Sequence, residues 1–230
     1  MRLGSEDPPP VDVEVEVVTG AGHLGGHLTI PEDSVGTVVF AHGSGSSRHS
    51  PRNQEVAEAL NRARLSTLLF DLLTLDEERR RSNVFDIELL AGRLMEATEW
   101  LTDSPLWSHQ PIGYFGASTG AAAALWAAAE FDTAISAVVS RGGRPDLAAS
   151  HLERVRAPTL LIVGGHDLTV LELNRSAQAQ MRCESRLEVI PGASHLFEEP
   201  GALSRVADLS QEWFTSHFQS RDRPDSQLNP

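Results

Sequence analysis

The sequence contains a single cysteine, Cys183, among its 230 residues. One cysteine cannot form an internal disulfide, so the fold does not depend on an oxidising compartment. The first ten residues are polar and rich in proline, and they lack the apolar segment of a secretory signal. No apolar run approaches the length of a transmembrane helix. These absences lead us to expect a cytoplasmic protein with no membrane partner.

Basic residues are scarce, since 19 Lys and Arg stand against 32 Asp and Glu, for a net charge of −13 at pH 7. This balance argues against nucleic acid or an anionic membrane surface as a partner. The sequence also lacks a His-Glu-x-x-His motif and any cluster of cysteine and histidine. We therefore expect neither a metal nor another cofactor. The sequence leaves the oligomeric state open.

The length and the 40% hydrophobic content are those of one folded domain. We assign residues 11–219 to this domain and predict flexible termini at 1–10 and 220–230. No internal repeat or linker divides the chain. The charged stretch 74–83 is interpreted as a solvated loop.

Strand-like and helix-like segments alternate along the chain. Residues 11–18 alternate valine with acidic residues, which predicts a half-exposed strand that pairs with 24–30 in a hairpin. Short apolar runs predict further strands at 35–40, 65–72, 112–115, 135–140, 158–163 and 187–190. Helical spacing predicts helices after Ser50-Pro51, over 87–101, after Thr119, over 170–181 and around 203–214. The alternation predicts a mostly parallel α/β sheet of about seven or eight strands, covered on both faces, with an amino-terminal antiparallel hairpin.

A G-x-S-x-G motif lies at Gly116-Ala117-Ser118-Thr119-Gly120, between a predicted strand and an alanine-rich helix. This is the context in which the motif presents a nucleophilic serine. A chain that turns directly from a strand into a helix crowds the residues two before and two after the turn, so both must be small. Gly116 and Gly120 meet that requirement, and Ser118 is the residue presented in a strained backbone conformation.

Ser118, Asp167 and His195 each follow a predicted strand, and so does the loop 42–47. Ligands of open α/β sheets bind at the carboxyl ends of the strands. A serine hydroxyl needs a base, which imidazole supplies near neutral pH, and the imidazole needs a carboxylate that fixes its tautomer. We predict that Ser118, His195 and Asp167 form a catalytic triad. Asp146 follows the preceding strand and is an alternative acid.

The tetrahedral intermediate of acyl transfer needs hydrogen-bond donors for its oxyanion. We predict that the backbone N–H groups of Thr119 and Ser44 form this oxyanion hole. His42 and Gly43, in the same loop as Ser44, are expected to contact the substrate.

Taken together, Gly116–Gly120, His42-Gly43-Ser44-Gly45-Ser46-Ser47, Gly164-Gly165-His166-Asp167 and Gly192-Ala193-Ser194-His195 resemble the α/β-hydrolase superfamily. More narrowly, the chain is similar to the small dienelactone-hydrolase-like branch, over about residues 12–218. The resemblance implies an α/β-hydrolase fold. The namesake enzymes of that branch use cysteine where this chain has Ser118, which favours a serine esterase over dienelactone hydrolysis. Cys183 lies far from these motifs and is interpreted as structural.

Only residues 141–157 separate the strand after the nucleophile helix from the strand before Asp167, so we expect no cap domain and an open site. Arg48, Arg141 and Arg144 follow strand ends and are candidates to bind an anionic group of the substrate, with Arg48 chosen as the substrate-binding one. Thr74 and Leu75 are weaker candidates to line the pocket. The sequence thus predicts a carboxylesterase-like serine hydrolase that cleaves small soluble esters through an acyl-enzyme. Alternatives are a thioesterase, acyltransferase or dienelactone-type hydrolase with the same triad, or a binding module that has lost catalysis.

Overall fold

Eight strands form one sheet in the computed structural model, which describes residues 10–131 and 134–221. The sheet has the order β1-β2-β4-β3-β5-β6-β7-β8. Strand β1 is antiparallel to β2, and β2 is antiparallel to β4, whereas the other neighbours are parallel. The strands are β1 Val11–Thr19, β2 Gly22–Ile30, β3 Thr37–Ala41, β4 Ser66–Phe70, β5 Ile112–Ala117, β6 Ile135–Arg141, β7 Thr159–Gly164 and β8 Ser185–Ile190. The predicted fold class, with its amino-terminal hairpin, is confirmed.

Helices cover both faces of the sheet, because the central strands are apolar on both sides and must be buried. Helices α4 and α5 pack on one face, and α1 and α7 pack on the other. The helices are α1 Pro51–Arg62, α2 Leu75–Glu78, α3 Arg81–Val84, α4 Ile87–Asp103, α5 Thr119–Glu130, α6 Leu168–Gln178 and α7 Ala202–Arg221, with a 3-10 helix over Pro145–Arg154. Strands β3, β5, β6 and β7 lie between these two layers, and all of their residues are buried.

Local sequence signals set where several of these elements begin. The Ser50 hydroxyl accepts a hydrogen bond from the N–H of Asn53, and Pro51 occupies the first turn of α1, as the Ser-Pro pair predicts. Asp86 caps α4 in the same way through the N–H of Leu89. In α5 the alanines pack against β5 and β6 without side-chain bulk, which lets the helix lie close to the sheet.

The charged stretch 74–83, interpreted from the sequence as a loop, contains two short helices, α2 and α3. A capping box begins α2: Thr74 Oγ1 accepts from the Glu77 N–H at 3.3 Å, and Glu77 Oε2 accepts from the Thr74 N–H at 2.9 Å. Helix α3 has no side-chain cap. Arg93 Nη2 also lies 3.0 Å from Glu77 Oε1. The Thr-x-x-Glu signal was present, and the run of charges obscured it.

Helix α7 continues to Arg221, so the predicted tail at 220–230 begins inside a helix. The rest of that prediction, and the predicted flexible stretch over residues 1–9, fall outside the described residues. Within the described ranges, no helix combines the length and the apolar character needed to cross a membrane.

Candidate active site

Ser118 joins β5 to α5 and adopts φ 51° and ψ −117°. A serine in this left-handed region is strained, and such strain persists only where neighbours hold the backbone. The Ser118 N–H donates to the carbonyl of Arg141 at 3.1 Å, and the Arg144 N–H donates to the carbonyl of Ser118 at 3.1 Å. The backbone of Ser118 is thus fixed from both sides by the end of β6, and its side chain projects at the carboxyl edge of the sheet.

The two glycines of the motif allow this sharp turn. A Cβ on Gly116 would lie 2.4 Å from the Cα of Ala121 and 2.7 Å from the carbonyl oxygen of Gly120. A Cβ on Gly120 would lie 2.2 Å from the carbonyl oxygen of Ala41, at the end of β3. Side chains larger than hydrogen therefore do not fit at either position, which is the crowding expected from the motif.

Asp167 and His195 meet across two neighbouring strand ends. Asp167 follows β7, His195 follows β8, and Asp167 Oδ2 lies 2.6 Å from His195 Nδ1. An ionised carboxylate only accepts, so Nδ1 carries the hydrogen and Nε2 is left with its lone pair. The Asp167 side chain is largely buried, at 16% exposure, while the His195 ring is 38% exposed. A buried acid thus orients an imidazole whose other nitrogen can take a proton.

The backbone brings these two loops together. A Cβ on Gly164 would lie 2.4 Å from the carbonyl oxygen of Ala193, so only glycine lets the His195 loop approach β7 this closely. The N–H of His166 donates to the carbonyl of Ala193 at 2.9 Å. Beyond His195 the chain is anchored by Phe197, which is 1% exposed and has φ 57°. Sequence reasoning named Gly164 within a motif but gave it no role, and it missed Phe197, because an aromatic residue in a loop is not a visible signal.

Ser118 and His195 border the same short loop, residues 141–144. This loop holds the Ser118 backbone through Arg141 and Arg144, as described above. On its other side, a Cβ on Gly142 would lie 3.5 Å from both Cε1 and Nδ1 of His195. The structure therefore gathers Ser118, Asp167 and His195 around one loop at the carboxyl edge of the sheet.

Asp146 is placed differently from Asp167. Both of its carboxylate oxygens accept from Arg144, at 2.8 Å each, in a bidentate ion pair. The geometry therefore makes Asp167 the partner of His195 and leaves Asp146 to brace the loop that follows β6.

The loop after β3 lies against Ser118. A Cβ on Gly43 would lie 3.1 Å from Ser118 Cβ. The Ser44 N–H, predicted as an oxyanion donor, points toward the start of α5, where it donates to Thr119 Oγ1 at 2.9 Å. Both predicted oxyanion residues are therefore adjacent to Ser118, and a hydrogen bond between them already exists.

The His42 side chain supports this loop through hydrogen bonds to the backbone. The ring is buried, and its Nε2 accepts from the Leu72 N–H at 3.1 Å, so its Nδ1 carries the hydrogen and donates to the Gly43 carbonyl at 3.0 Å. Both ring nitrogens are used by the backbone. His42 thus fixes the positions of Gly43 and of the loop that follows β4. It also lines the cavity described below, so its predicted contact with substrate stays a prediction.

Burial lowers the pKa of His42 below the ordinary 6.5, although its hydrogen bond to Gly43 opposes the shift. The unfolded chain then binds more protons than the folded one as pH falls through about 6.5, so this contribution to stability is present above that pH and lost below it. We expect the free energy of unfolding to fall less in His42→Gln than in wild type when the pH is lowered from about 8 to about 5.5. Urea unfolding at both pH values measures the difference.

His49→Gln is the control for this measurement, because His49 is exposed in the loop before α1. This variant should keep the wild-type pH dependence. If the His42→Gln and wild-type proteins lost stability in parallel on acidification, the buried ring would not be the titrating group.

A cavity of about 390 Å³ opens beside Ser44 and Thr119. Its wall is mainly apolar, and the two short helices α2 and α3 form part of it through Glu78 and Val84. The remaining lining comes from the loop 42–47, Leu72, Leu73 and Leu90. The cavity adjoins the candidate site through Ser44 and Thr119, whereas Ser118, Asp167 and His195 are not among its lining residues. A small helical segment borders it, and no cap domain follows β6.

The three candidate arginines have different surroundings. Arg48 is ion-paired with Asp71 and borders a depression of about 820 Å³, together with Thr74 and Leu75. This depression adjoins the cavity, with which it shares Ser47, Leu73 and Glu78. Arg144 is paired with Asp146. These two arginines therefore brace loops, as their short distances to carboxylates indicate.

Arg141 is buried at 8% exposure, and its Nη2 reaches Asn53 Oδ1 at 3.4 Å. Among the described residues, its Nε and Nη1 have no hydrogen-bond partner. Burial, with the nearby Arg52 charge, lowers the pKa of Arg141 to about 10. Because these two nitrogens are inaccessible, Arg141 does not offer them to a substrate in this conformation.

The described residues contain no group of three or more histidine, cysteine, aspartate or glutamate side chains placed to hold a metal ion. The chemistry available at this edge is that of a hydroxyl, an imidazole and a carboxylate.

Known proteins share this arrangement of strands and loops. The family model described as "Alpha/beta hydrolase domain" matches residues 34–212. The chain belongs to the α/β-hydrolase family. The structure of a dienelactone hydrolase from Anabaena variabilis is 56% identical, with a TM-score of 0.88, over 92% of this chain and 100% of that one. This hydrolase domain therefore lies in the dienelactone-hydrolase-like branch, as its motifs predicted.

Two further comparisons concern the fold and the relatives of this hydrolase domain. Est1E from Butyrivibrio proteoclasticus shares the fold, with a TM-score of 0.77 at 15% identity over 90% of this chain and 99% of that one. Two proteins of Mycobacterium tuberculosis named as phosphoribosyl transferases are 62% identical over 212 residues, which is 92% of this chain and 48% of each relative. The chain thus spans about half the length of the curated relatives it matches.

Proposed function

We propose that this protein is a serine hydrolase that cleaves small carboxylic esters, with Ser118 as nucleophile, His195 as base and Asp167 as orienting acid. The observation that carries the proposal is the 2.6 Å contact between Asp167 and His195, beside a serine held at φ 51°. A left-handed serine between a strand and a helix is the conformation in which α/β-hydrolases expose their nucleophile.

The reaction would proceed in two steps. Ser118 Oγ attacks the ester carbonyl while His195 Nε2 takes its proton, and the carbonyl π electrons move onto oxygen to form the oxyanion. Collapse of this intermediate breaks the bond to the alcohol, which leaves with the proton from His195. Water then attacks the acyl-enzyme by the same route and releases the acid and Ser118. Asp167 stabilises the imidazolium that forms in each step.

The cavity beside Ser44 and Thr119 supports a small substrate with an apolar part. Its volume of about 390 Å³ is at the small end of ligand pockets, and Leu72, Leu73, Val84 and Leu90 line it. Its one charged lining residue among those described is Glu78. We propose short or compact acyl esters as the substrate class and, from the lone cysteine, action in the reducing cytoplasm.

The names of the relatives point to two different reactions. Dienelactone hydrolysis opens a cyclic ester and uses the chemistry proposed above, so lactones are a natural extension of the substrate class. The name phosphoribosyl transferase belongs to relatives of which this chain covers only 48%. That name therefore carries no proposal for this hydrolase domain.

Thioester cleavage and acyl transfer use the same triad and differ only in the acyl donor or acceptor. A binding module that has lost catalysis is the alternative from another class. The intact contact between Asp167 and His195 favours an enzyme, because a binding module has no need of an oriented imidazole.

We expect stoichiometric labelling by a fluorophosphonate probe that is abolished by Ser118→Ala, because the probe reacts with an activated serine. Mass spectrometry of the intact protein measures the adduct.

With p-nitrophenyl esters, turnover should be greatest for acetate and butyrate and should fall for octanoate, since the cavity is small. An unlabelled wild-type protein would favour the binding module, and a preference for octanoate would contradict the proposed substrate class.

A further inference from the structure

The hydrogen bond between Ser44 and Thr119 joins two residues that are 75 positions apart at the point where an oxyanion would form. The Ser44 N–H donates to Thr119 Oγ1 at 2.9 Å. A direct role for the Ser44 N–H would require the intermediate to displace this hydroxyl. The structure offers another arrangement, in which the hydroxyl itself takes part.

A hydroxyl has one hydrogen to donate and two lone pairs to accept with. The bond from Ser44 uses a lone pair and leaves the hydrogen of Thr119 available. In the described part of the chain, Thr119 Oγ1 donates to no protein acceptor. A threonine inside a helix usually donates to the carbonyl four residues back, but Thr119 begins α5 and that residue, Phe115, belongs to β5.

Thr119 is the chain neighbour of the proposed nucleophile, and it borders the cavity next to the candidate site. It follows Ser118 directly, it is 3% exposed, and it lines the 390 Å³ cavity together with Ser44. Its backbone N–H is one of the unpaired donors at the start of a helix. A donor that is already fixed in place costs little reorganisation when charge develops on the substrate oxygen.

We propose that Thr119 supplies two donors to the oxyanion, its backbone N–H and its side-chain hydroxyl, while the Ser44 N–H polarises that hydroxyl from behind. Hydrogen bonds in series strengthen one another, so the Ser44 N–H makes the Thr119 hydroxyl a better donor. Ser44 then acts through Thr119 as a positioning residue, and Thr119 is a catalytic residue. This inference rests on the proposed function, because it presumes an acyl-transfer intermediate on Ser118.

The test is Thr119→Val, which keeps the branched shape and removes the hydroxyl, together with Thr119→Ser, which keeps the hydroxyl. We expect Thr119→Val to lower kcat for p-nitrophenyl butyrate by about 10²–10³-fold with a small change in KM, as for the loss of one oxyanion donor. Inhibition by a boronic acid, a mimic of the tetrahedral intermediate, should weaken by a similar factor. Thr119→Ser should restore both to within about tenfold of wild type, a difference of about 1.4 kcal/mol.

Thr159→Val is the matched control, because Thr159 is a fully buried threonine at the opposite end of the sheet, where its hydroxyl donates to Ala157. Urea unfolding of each variant separates a folding defect from a catalytic one. If Thr119→Val retained or exceeded the wild-type kcat, the Thr119 hydroxyl would not be a donor to the oxyanion. It would only accept the Ser44 hydrogen bond in the absence of substrate, and the inference would be overturned. In that case Ser118-dependent turnover in wild type would leave the proposed function intact, whereas a wild-type protein without turnover or labelling would overturn both.

Discussion

Replacement of His195 by alanine is expected to reduce kcat for ester hydrolysis by about 10⁶-fold, as loss of the base does in serine proteases with the same triad. The physical reason is that Ser118 then has no acceptor for its proton during attack. Steady-state kinetics with p-nitrophenyl butyrate measures the loss, and urea unfolding checks that the variant is folded. A loss smaller than about tenfold would exclude His195 as the general base.

The acid of the triad can be tested in the same assay with a matched pair of variants. Asp167→Asn should lower kcat by about 10⁴-fold, because an amide can present its NH₂ group to His195 Nδ1 and stabilise the wrong tautomer. Asp146→Asn should cost less than about threefold, a difference of roughly 0.7 kcal/mol, because Asp146 accepts from Arg144 and not from His195. The reverse ranking would mean that the imidazole changes its partner during the reaction.

Gly120→Ala is expected to be the most destabilising small substitution at the turn after Ser118. The new Cβ would lie 2.2 Å from the carbonyl oxygen of Ala41 and 2.4 Å from that of His42, and both are backbone atoms that cannot rotate away. Relief would require α5 to separate from the end of β3. We expect the free energy of unfolding to fall by more than about 4 kcal/mol, or the variant to be insoluble.

Gly92→Ala provides the control for this prediction. Gly92 lies within α4, and a Cβ there would meet nothing within 4 Å. The same chemical change should therefore stabilise the protein by about 0.5–1 kcal/mol, because alanine loses less backbone entropy than glycine in a helix. Urea unfolding of the two variants makes the comparison. Equal stability of Gly120→Ala and wild type would show that the turn tolerates a side chain.

Elements that depend on nearby residues could be predicted from the sequence. The alternation in 11–18, the Ser50-Pro51 start of α1 and the apolar runs of the central strands are local signals, and the structure follows them. The chain order of Ser118, Asp167 and His195 predicted their shared edge, because parallel strands end on the same side of a sheet. Strand ends shifted by only one to a few residues, since hydrogen bonding and not hydrophobicity sets them.

Features that depend on distant partners could not be predicted. The sequence does not indicate that the Arg48 guanidinium pairs with Asp71, which is 23 residues away. Nor does it indicate that the His42 ring accepts a hydrogen bond from the Leu72 N–H, 30 residues away. Ser44 and Thr119 were both predicted to form the oxyanion hole, but the sequence does not indicate the hydrogen bond between them.

Strand β1 forms one border of the sheet, and Asp12, Glu14 and Glu16 project from one face of it. A border strand exposes unpaired N–H and C=O groups that could template the addition of another chain. A second copy joined there edge to edge would bring two rows of carboxylates to strand spacing, about 4.8 Å. Repulsion between the ionised carboxylates opposes this pairing. The acidic residues of β1 therefore disfavour the extension of the sheet from one molecule to the next.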